Sequence, residues 1–275
     1  MTQGPSPDLP ASPAPVLFLK LGGSLITDKT IPFTARPDIL ARLMQELAAA
    51  RGARPSLPLV LGHGSGSFGH AEAGQYGTRH GVHTAEEWRG FAKVQAAAGV
   101  LNQFTLQAAR AAGLPVVNFP PSASAVCREG VIQSLADRPI ERTLEHGLIP
   151  LVFGDVAVDE AWGGTIVSTE DVFGYLAPRL RPRRVLLAGL EPGVRTHWPD
   201  GGVIPVITPE TRLSGVAGST AVDVTGGMAG KVREMLKLAA ALPDVEVLIF
   251  SGEVPGRLGA ALAGQPVEGT RLTKV

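Results

Sequence analysis

The chain has 275 residues, and its 25 basic and 25 acidic side chains cancel at pH 7. That length buries about three quarters of the unfolded surface without disulfide or metal staples, and the single Cys127 offers no internal bridge, which favours a reducing compartment. Neutral charge argues against a nucleic-acid coat, no apolar run reaches the roughly 18 residues of a membrane span, and the first 19 residues lack the basic start of a secretory signal, so the expectation is a soluble, cytoplasmic protein.

Residues 1–15 hold five prolines and no apolar periodicity, and read as a disordered tail. From Val16 onward, strand, glycine loop and helix repeat. A buried strand over 16–19 ends at Lys20 and Gly22-Gly23. A helix over 37–51 places Ile39, Leu40, Leu43, Met44 and Leu47 on one face. The next strand, 57–61, runs into the loop GHGSGSFGH at 62–70. A long helix over 84–112 opens with Thr84 and Glu87 spaced as a capping box. Further strands are expected at 114–118, 148–153, 184–188 and 245–250, with helices near 137–146, 169–180 and 227–242 and a hairpin or lid over 194–206. This alternation predicts an α/β fold, an open three-layer αβα sandwich with a mostly parallel central sheet, formed by one domain over 16–275.

Three loops carry the chemistry. Gly64-Ser65-Gly66-Ser67-Phe68-Gly69 fits G-x-G-x-x-G, a weak signal by itself. A dinucleotide site would place it after the first strand, with an acidic residue about 20 positions on at a strand end. Here it follows the second strand, and Glu86 and Glu87 begin a helix. A merely tight turn does not call for Gly62, Gly64, Gly66 and Gly69 together, so a backbone cradle for phosphate is favoured. His70 closes this cradle, whereas His63 reads as a structural hydrogen-bonder. The segment DVTGGMAGK at 223–231 sets Gly226-Gly227 at a helix start and Lys231 one turn in. For this segment alone, a solvated lysine and an anion site remain balanced. Lys20, inside an apolar strand, is costly unless it meets an anion. Only six lysines stand against nineteen arginines, and Lys20, Lys29 and Lys231 lie in or beside these glycine segments. Lysines and backbone amides are suitable groups for phosphoryl transfer, which depends on positioning and charge neutralisation. Neither a zinc pattern, nor a G-x-S-x-G elbow, nor an ATPase P-loop occurs.

KLGGSLITDK (20–29), HGSGSFGH (63–70), FGD (153–155), STED (168–171) and DVTGGMAGK (223–231) resemble, in this order, the motifs of the amino acid kinase superfamily. Within it the chain is most similar to the isopentenyl phosphate kinases, from Thr27-Asp28-Lys29, from His70 and from Asn118-Phe119-Pro120-Pro121-Ser122. The resemblance implies ATP-dependent, direct in-line phosphorylation of isopentenyl phosphate to the diphosphate. It implies ATP contacts from Lys20, Gly22, Gly23, Ser65, Gly227 and Lys231, with Lys29 stabilising the moving γ-phosphoryl. Gly64, Gly69, His70 and Gly154 would bind the acceptor, and Asp155 would orient the lysines. An acceptor-binding half over about 16–180, a nucleotide-binding half over about 181–275, and a homodimer are also implied. So is Mg2+ bridging the ATP phosphates, with Asp155 and Asp171 as the acidic candidates and no identifiable strong ligand. The apolar end of the acceptor pocket is expected near Val82, Trp88, Phe91, Val94 and Val100. The rival readings are a fosfomycin-type or other small-acid kinase, which would want an arginine fork, and a non-catalytic nucleotide sensor. The sequence departs from the family pattern at Ser65, at Gly189–Gly193, and where Thr169-Glu170 replaces a glycine–aspartate step.

Overall fold

The computed structural model describes residues 15–211 and 227–274, except 56, 198, 199 and 243 and the side chains of 70 and 71. The expected tail therefore lies outside the described residues apart from Pro15, as does Gly226 of the third loop.

The amino-terminal half contains β1 (Leu17–Leu21), α1 (Gly23–Ile26), α2 (Pro37–Ala53), β2 (Leu59–His63), α3 (Gly66–Tyr76), α4 (Ala85–Ala111) and β3 (Val116–Asn118). There follow β4 (Val126–Arg128), β5 (Val131–Ser134), α5 (Asp137–Glu145), β6 (Ile149–Phe153), β7 (Asp155–Asp159), β8 (Gly163–Val167) and α6 (Thr169–Leu180). The remainder is β9 (Arg184–Gly189), β10 (Val206–Ile207), α7 (Gly227–Ala241), β11 (Glu246–Ser251), α8 (Arg257–Ala263) and β12 (Gly269–Leu272).

Eight strands form one sheet in the order β10-β12-β11-β9-β1-β2-β6-β3. Its central strands are parallel, and β12 runs antiparallel to β11. Strand alternation sends Leu17, Leu19 and Leu21 into a core shared with α2, α4 and α8. Phe18 faces the opposite core, with Val172, Phe173 and Leu176 of α6 and Val232 and Met235 of α7. Lys20 shares the parity of Phe18, which delivers its ammonium to the side of the sheet covered by α6 and α7.

The expected capping box opens α4: Thr84 Oγ1 accepts from Glu87 N–H, and the Glu87 carboxylate accepts from Thr84 N–H at 2.8 Å. The hairpin expected over 194–206 is present, with an antiparallel bridge between Arg195 and Val203. The structure differs from the sequence reading in several places, and β10, α8 and β12 were not expected at all. Gly62 and His63 belong to β2, and residues 66–70 are the first turns of α3 rather than loop. A second sheet, β5-β4-β7-β8, was not expected. Its strands are short, and β4 and β5 lack the apolar runs that mark the large sheet.

The anchor of the small sheet is Asp159, buried at the end of β7. Its carboxylate accepts from Glu129 N–H (3.1 Å), Gly130 N–H (2.7 Å), Ala161 N–H and Trp162 N–H (both 2.9 Å). Burial raises its pKa, but these four donors outweigh burial and hold it below 3.8. Asp159→Asn should lower stability by about 1–3 kcal/mol at neutral pH. Because the folded pKa lies below the unfolded one, the gap between wild type and variant is full above about pH 4. It should close as pH falls through the folded value, which thermal unfolding at pH 7 and pH 3 would show.

Candidate active site

The site lies at the carboxyl end of the central strands, where β1, β2, β6 and β9 finish side by side. Gly22 N–H donates to Ala188 O at 2.7 Å, Gly64 N–H to Leu21 O at 3.0 Å and Gly154 N–H to His63 O at 3.1 Å. The first two glycine loops are pressed together. A Cβ on Gly23 would lie 2.3 Å from Gly66 N, and one on Gly64 would lie 2.8 Å from Gly23 N. Gly66 has φ +49°, and a side chain there would strike Thr27 Oγ1 at 2.2 Å. Thr27 staples the two loops: its hydroxyl donates to Gly23 O (2.7 Å) and accepts from Ser67 N–H (3.0 Å).

Lys20 is 6% exposed and donates a charged hydrogen bond to Glu170, itself 4% exposed, at the second position of α6. The approach of α6 depends on Gly62, opposite Lys20 on β2, where a Cβ would lie 2.5 Å from Thr169 Cγ2 and 2.9 Å from Phe173 Cζ. A second capping box fixes the helix start, with Ser168 Oγ accepting from Asp171 N–H and Asp171 from Ser168 N–H. Burial pushes the Lys20 ammonium down from 10.5, Lys231 adds to the push, and Glu170 opposes it. Burial would raise the Glu170 carboxyl, but the charges of Lys20 and Lys231 outweigh it and hold the group below 4.5. Glu170 is thus a carboxylate coupled to two lysines, and among the described residues its buried Oε1 accepts no hydrogen bond. Lys231 lies in the first turns of α7, which opens with Gly227 at φ +61°.

This geometry revises several sequence expectations. Among the described residues Asp155 is hydrogen-bonded to neither Lys20 nor Lys231. Its carboxylate accepts from Ser122 N–H (3.0 Å) and Val156 N–H (2.9 Å), and Glu170, which the sequence reading left without a role, pairs with Lys20. Asp171 is committed to its capping box, and burial raises the pKa of both aspartates. The amides of Gly64 and Gly69 do not face the crevice, since they donate to Leu21 O and Ser65 O. Only the first turn of a helix leaves its amides unpaired, and Gly69 is already the fourth residue of α3. The amides that border the loop contact are those of Ser65, near Gly154, and Gly66, against Gly23.

Buried His63 is structural, as expected, with Nε2 against Asn102 Oδ1 (3.2 Å) and its ring stacked on Phe153 at 5.2 Å. His70 lies on α3, and its side chain is outside the described residues. Lys29 is half-buried in the hairpin that follows α1. Phe91, Val94, Ala73, Val156 and Ile166 form a small apolar cluster between α3, α4 and the second sheet. Val82 is buried and borders Gly164, and Trp88 packs on Phe91 at 5.0 Å. Val100 is half exposed and lies outside this cluster.

Residues 15–251 match the model of the amino acid kinase family, and the chain belongs to that family. Its similarity runs strongly to the isopentenyl phosphate kinases. It is 35% identical to that of Methanothermobacter thermautotrophicus, over 94% of this chain and 99% of the relative. To that of Haloferax volcanii it is 37% identical, over 88% of this chain and 97% of the relative. A solved isopentenyl phosphate kinase structure superposes with a TM-score of 0.81 at 34% identity, over 94% of this chain and all of that one.

The two carboxylates can be separated experimentally. Glu170→Gln, which leaves Lys20 and Lys231 unneutralised, should lower turnover with ATP about a hundredfold. Asp155→Asn, which keeps an acceptor for Ser122 N–H, should cost far less. Steady-state kinetics on both variants decide, and equal losses would restore Asp155 to the lysine cluster.

Proposed function

We propose that this chain transfers the γ-phosphoryl group of ATP to the phosphate of isopentenyl phosphate, releasing isopentenyl diphosphate and ADP. The observation that carries the reading is the buried Lys20–Glu170 pair, electrostatically coupled to Lys231, at the mouth of two interlocked glycine loops. Similarity along nearly the whole chain to proteins of that name supports the acceptor.

In the proposed reaction an oxygen of the acceptor phosphate attacks the γ-phosphorus. The bond from that phosphorus to the β–γ bridging oxygen breaks, and no phosphoenzyme forms. Lys20 and Lys231 neutralise the ATP phosphates, and Glu170 keeps the two lysines apart and aimed. Lys29 meets the charge that grows on the moving group, so its contact strengthens in the transition state. The Ser65 and Gly66 amides are anion donors at the α3 start, where the helix dipole adds to them. His70 takes the acceptor's own phosphate, and the cluster around Phe91, Val94 and Val156 receives the apolar tail.

Mg2+ is part of the reading. Among the described residues no group of three or more His, Cys, Asp or Glu side chains suits a metal. The ATP phosphates would therefore hold the ion, with Glu170 Oε1 as the protein oxygen that fits. When bound, the ion would neutralise phosphate charge. In this reading the acceptor half (16–180) also lends Lys20 and Glu170 to the ATP phosphates, and the nucleotide half (181–275) supplies Lys231. A cytoplasmic homodimer completes the reading, and the exposed Val100 and Phe104, one turn apart on α4, suit a face covered by a second copy.

ADP release with ATP and Mg2+ over isopentenyl phosphate, dimethylallyl phosphate, fosfomycin and N-acetylglutamate tests the function. Turnover selective for the prenyl phosphates is expected, and silence on all four with ATP still bound would leave a nucleotide sensor. Lys29→Ala should lower kcat at least a hundredfold with KM for either substrate little changed; unchanged turnover would remove Lys29 from the mechanism. His70→Ala should weaken acceptor turnover while nucleotide binding, followed by calorimetry, survives. Loss of ATP binding instead would reverse the assignment of the two loops.

A further inference from the structure

Lys29 sits in a hairpin with little ladder of its own. Thr27 bridges Ala35, Asp28 N–H donates to Thr34 O at 2.9 Å, and Asp28 Oδ1 closes the turn by accepting from Thr30 N–H at 2.8 Å. At the far end, exposed Phe33 rests edge-on against Phe68 at 5.9 Å. An excursion this short is marginal by itself, so its placement depends on what holds its base.

The base is held by Arg36, the residue that leaves the hairpin and opens α2. Arg36 N–H donates to Ile26 O at 2.9 Å, and its guanidinium donates to Leu25 O at 3.1 Å. The same guanidinium grips Glu253 with two bonds, Nη1 to Oε2 at 3.0 Å and Nη2 to Oε1 at 2.7 Å. Glu253 lies 217 residues further along the chain, in the loop leaving β11, and that loop is itself immobilised. Gly252 N–H donates to Gly189 O (2.8 Å) and Ser251 Oγ to Leu190 O (2.8 Å), tying it to the exit of β9. From α2, Arg42 Nη2 donates to Gly252 O at 2.6 Å, and Glu46 accepts from Gly256 and Gly259 N–H, both at 3.0 Å. A Cβ on Gly252 would lie 2.6 Å from Leu25 Cδ2, so the β11 exit also abuts α1.

We propose that the Arg36–Glu253 pair sets the position of the Lys29 hairpin against the loops leaving β9 and β11, making both residues positioning residues for phosphoryl transfer. This rests on the reading of Lys29 as the group that meets the transferring phosphoryl. The two side chains are 30% and 40% exposed, and pairs at such exposure contribute little to stability. The fork-to-fork geometry instead fixes direction and distance. Lys29 comes from the amino-terminal half, and Lys231, which would meet the nucleotide phosphates, from the carboxyl-terminal half. The pair is a direct side-chain tie between the two at this edge. Displacement of about 1 Å can lower a transfer rate about a hundredfold, while leaving substrate binding intact.

The test uses the full chain with ATP, Mg2+ and isopentenyl phosphate, comparing wild type, Arg36→Met, the near-isosteric Glu253→Gln, the double variant and Lys29→Ala. Each single substitution should lower kcat about tenfold, with both KM values within about twofold and the unfolding temperature within ~3 °C. The double variant should be no slower than Arg36→Met, because one interaction is lost only once. Full kcat in both single variants, with Lys29→Ala inactive, would overturn the positioning role and leave the kinase reading intact. Additive losses would overturn it too, since the residues would then act through separate contacts. A rise in the KM for ATP alone would overturn it as well, placing the pair at the nucleotide instead. A wild-type chain that binds ATP but phosphorylates no acceptor would remove the kinase reading and this inference together.

Discussion

The site depends on a cation held out of water at the end of the central strand. A lysine ammonium buried beside parallel β-strands is unstable unless a carboxylate meets it there, and Glu170 does so. Each step that brings the carboxylate to that point is local. Strand parity turns Lys20 toward α6, Gly62 lets α6 touch the sheet, and the Ser168–Asp171 box fixes where the helix starts. Glu170 then lies in the first turn, where the helix dipole also favours its ionised form. Removing either partner strands a buried charge, so the pair constrains the strand, the helix and the glycine between them together.

The glycines act by letting backbones meet, more than by flexibility. Gly23, Gly64 and Gly66 bring two loops to separations that no Cβ allows, and Thr27 bonds to both. The result is a wall in which few amides remain unpaired, since those of Gly22, Gly64, Ser67 and Gly69 donate to protein. An anion at this wall would meet preset donors that need no reorganisation, the condition under which electrostatic stabilisation of a transition state is largest.

Six strands of the large sheet were legible in the sequence because they are apolar runs and their helices carry clean stripes, whereas β10 (VI) and β12 (GTRL) offer no such run. Lys20 was legible for the same reason, as a charge interrupting such a run. The second sheet was not, since VCR and VIQS have no run to notice and are held by Asp159 through backbone donors. Helix α3 was hidden by its composition. GSFGHAEAGQY has three glycines, and its helicity is imposed by packing against α4 and ended by Gly77 at φ +62°. Glu170 was hidden by its position, because an acidic residue in a first helical turn is ordinary and nothing local shows that it faces a lysine 150 residues away. Asp155 received the role instead from the family resemblance, through the motif FGD at 153–155.

The division of labour between the two basic residue types has a physical basis. Arginine does the structural work: Arg36 forks onto Glu253, and Arg42, Arg54 and Arg184 donate to backbone carbonyls at loop and helix ends. Such tasks use a planar guanidinium with several fixed donors. Lysine, scarce in this chain, supplies the three charges of the proposed mechanism, while Lys93 and Lys237 make exposed contacts with Tyr76 and Glu234. An ammonium is a compact charge that can follow a phosphoryl group as it moves without a preferred plane, which a guanidinium cannot do. A neutral chain can thus concentrate positive charge at one crevice: most of its arginines are already committed to carboxylates and carbonyls elsewhere, and in the proposed mechanism Glu170 offsets the repulsion between Lys20 and Lys231.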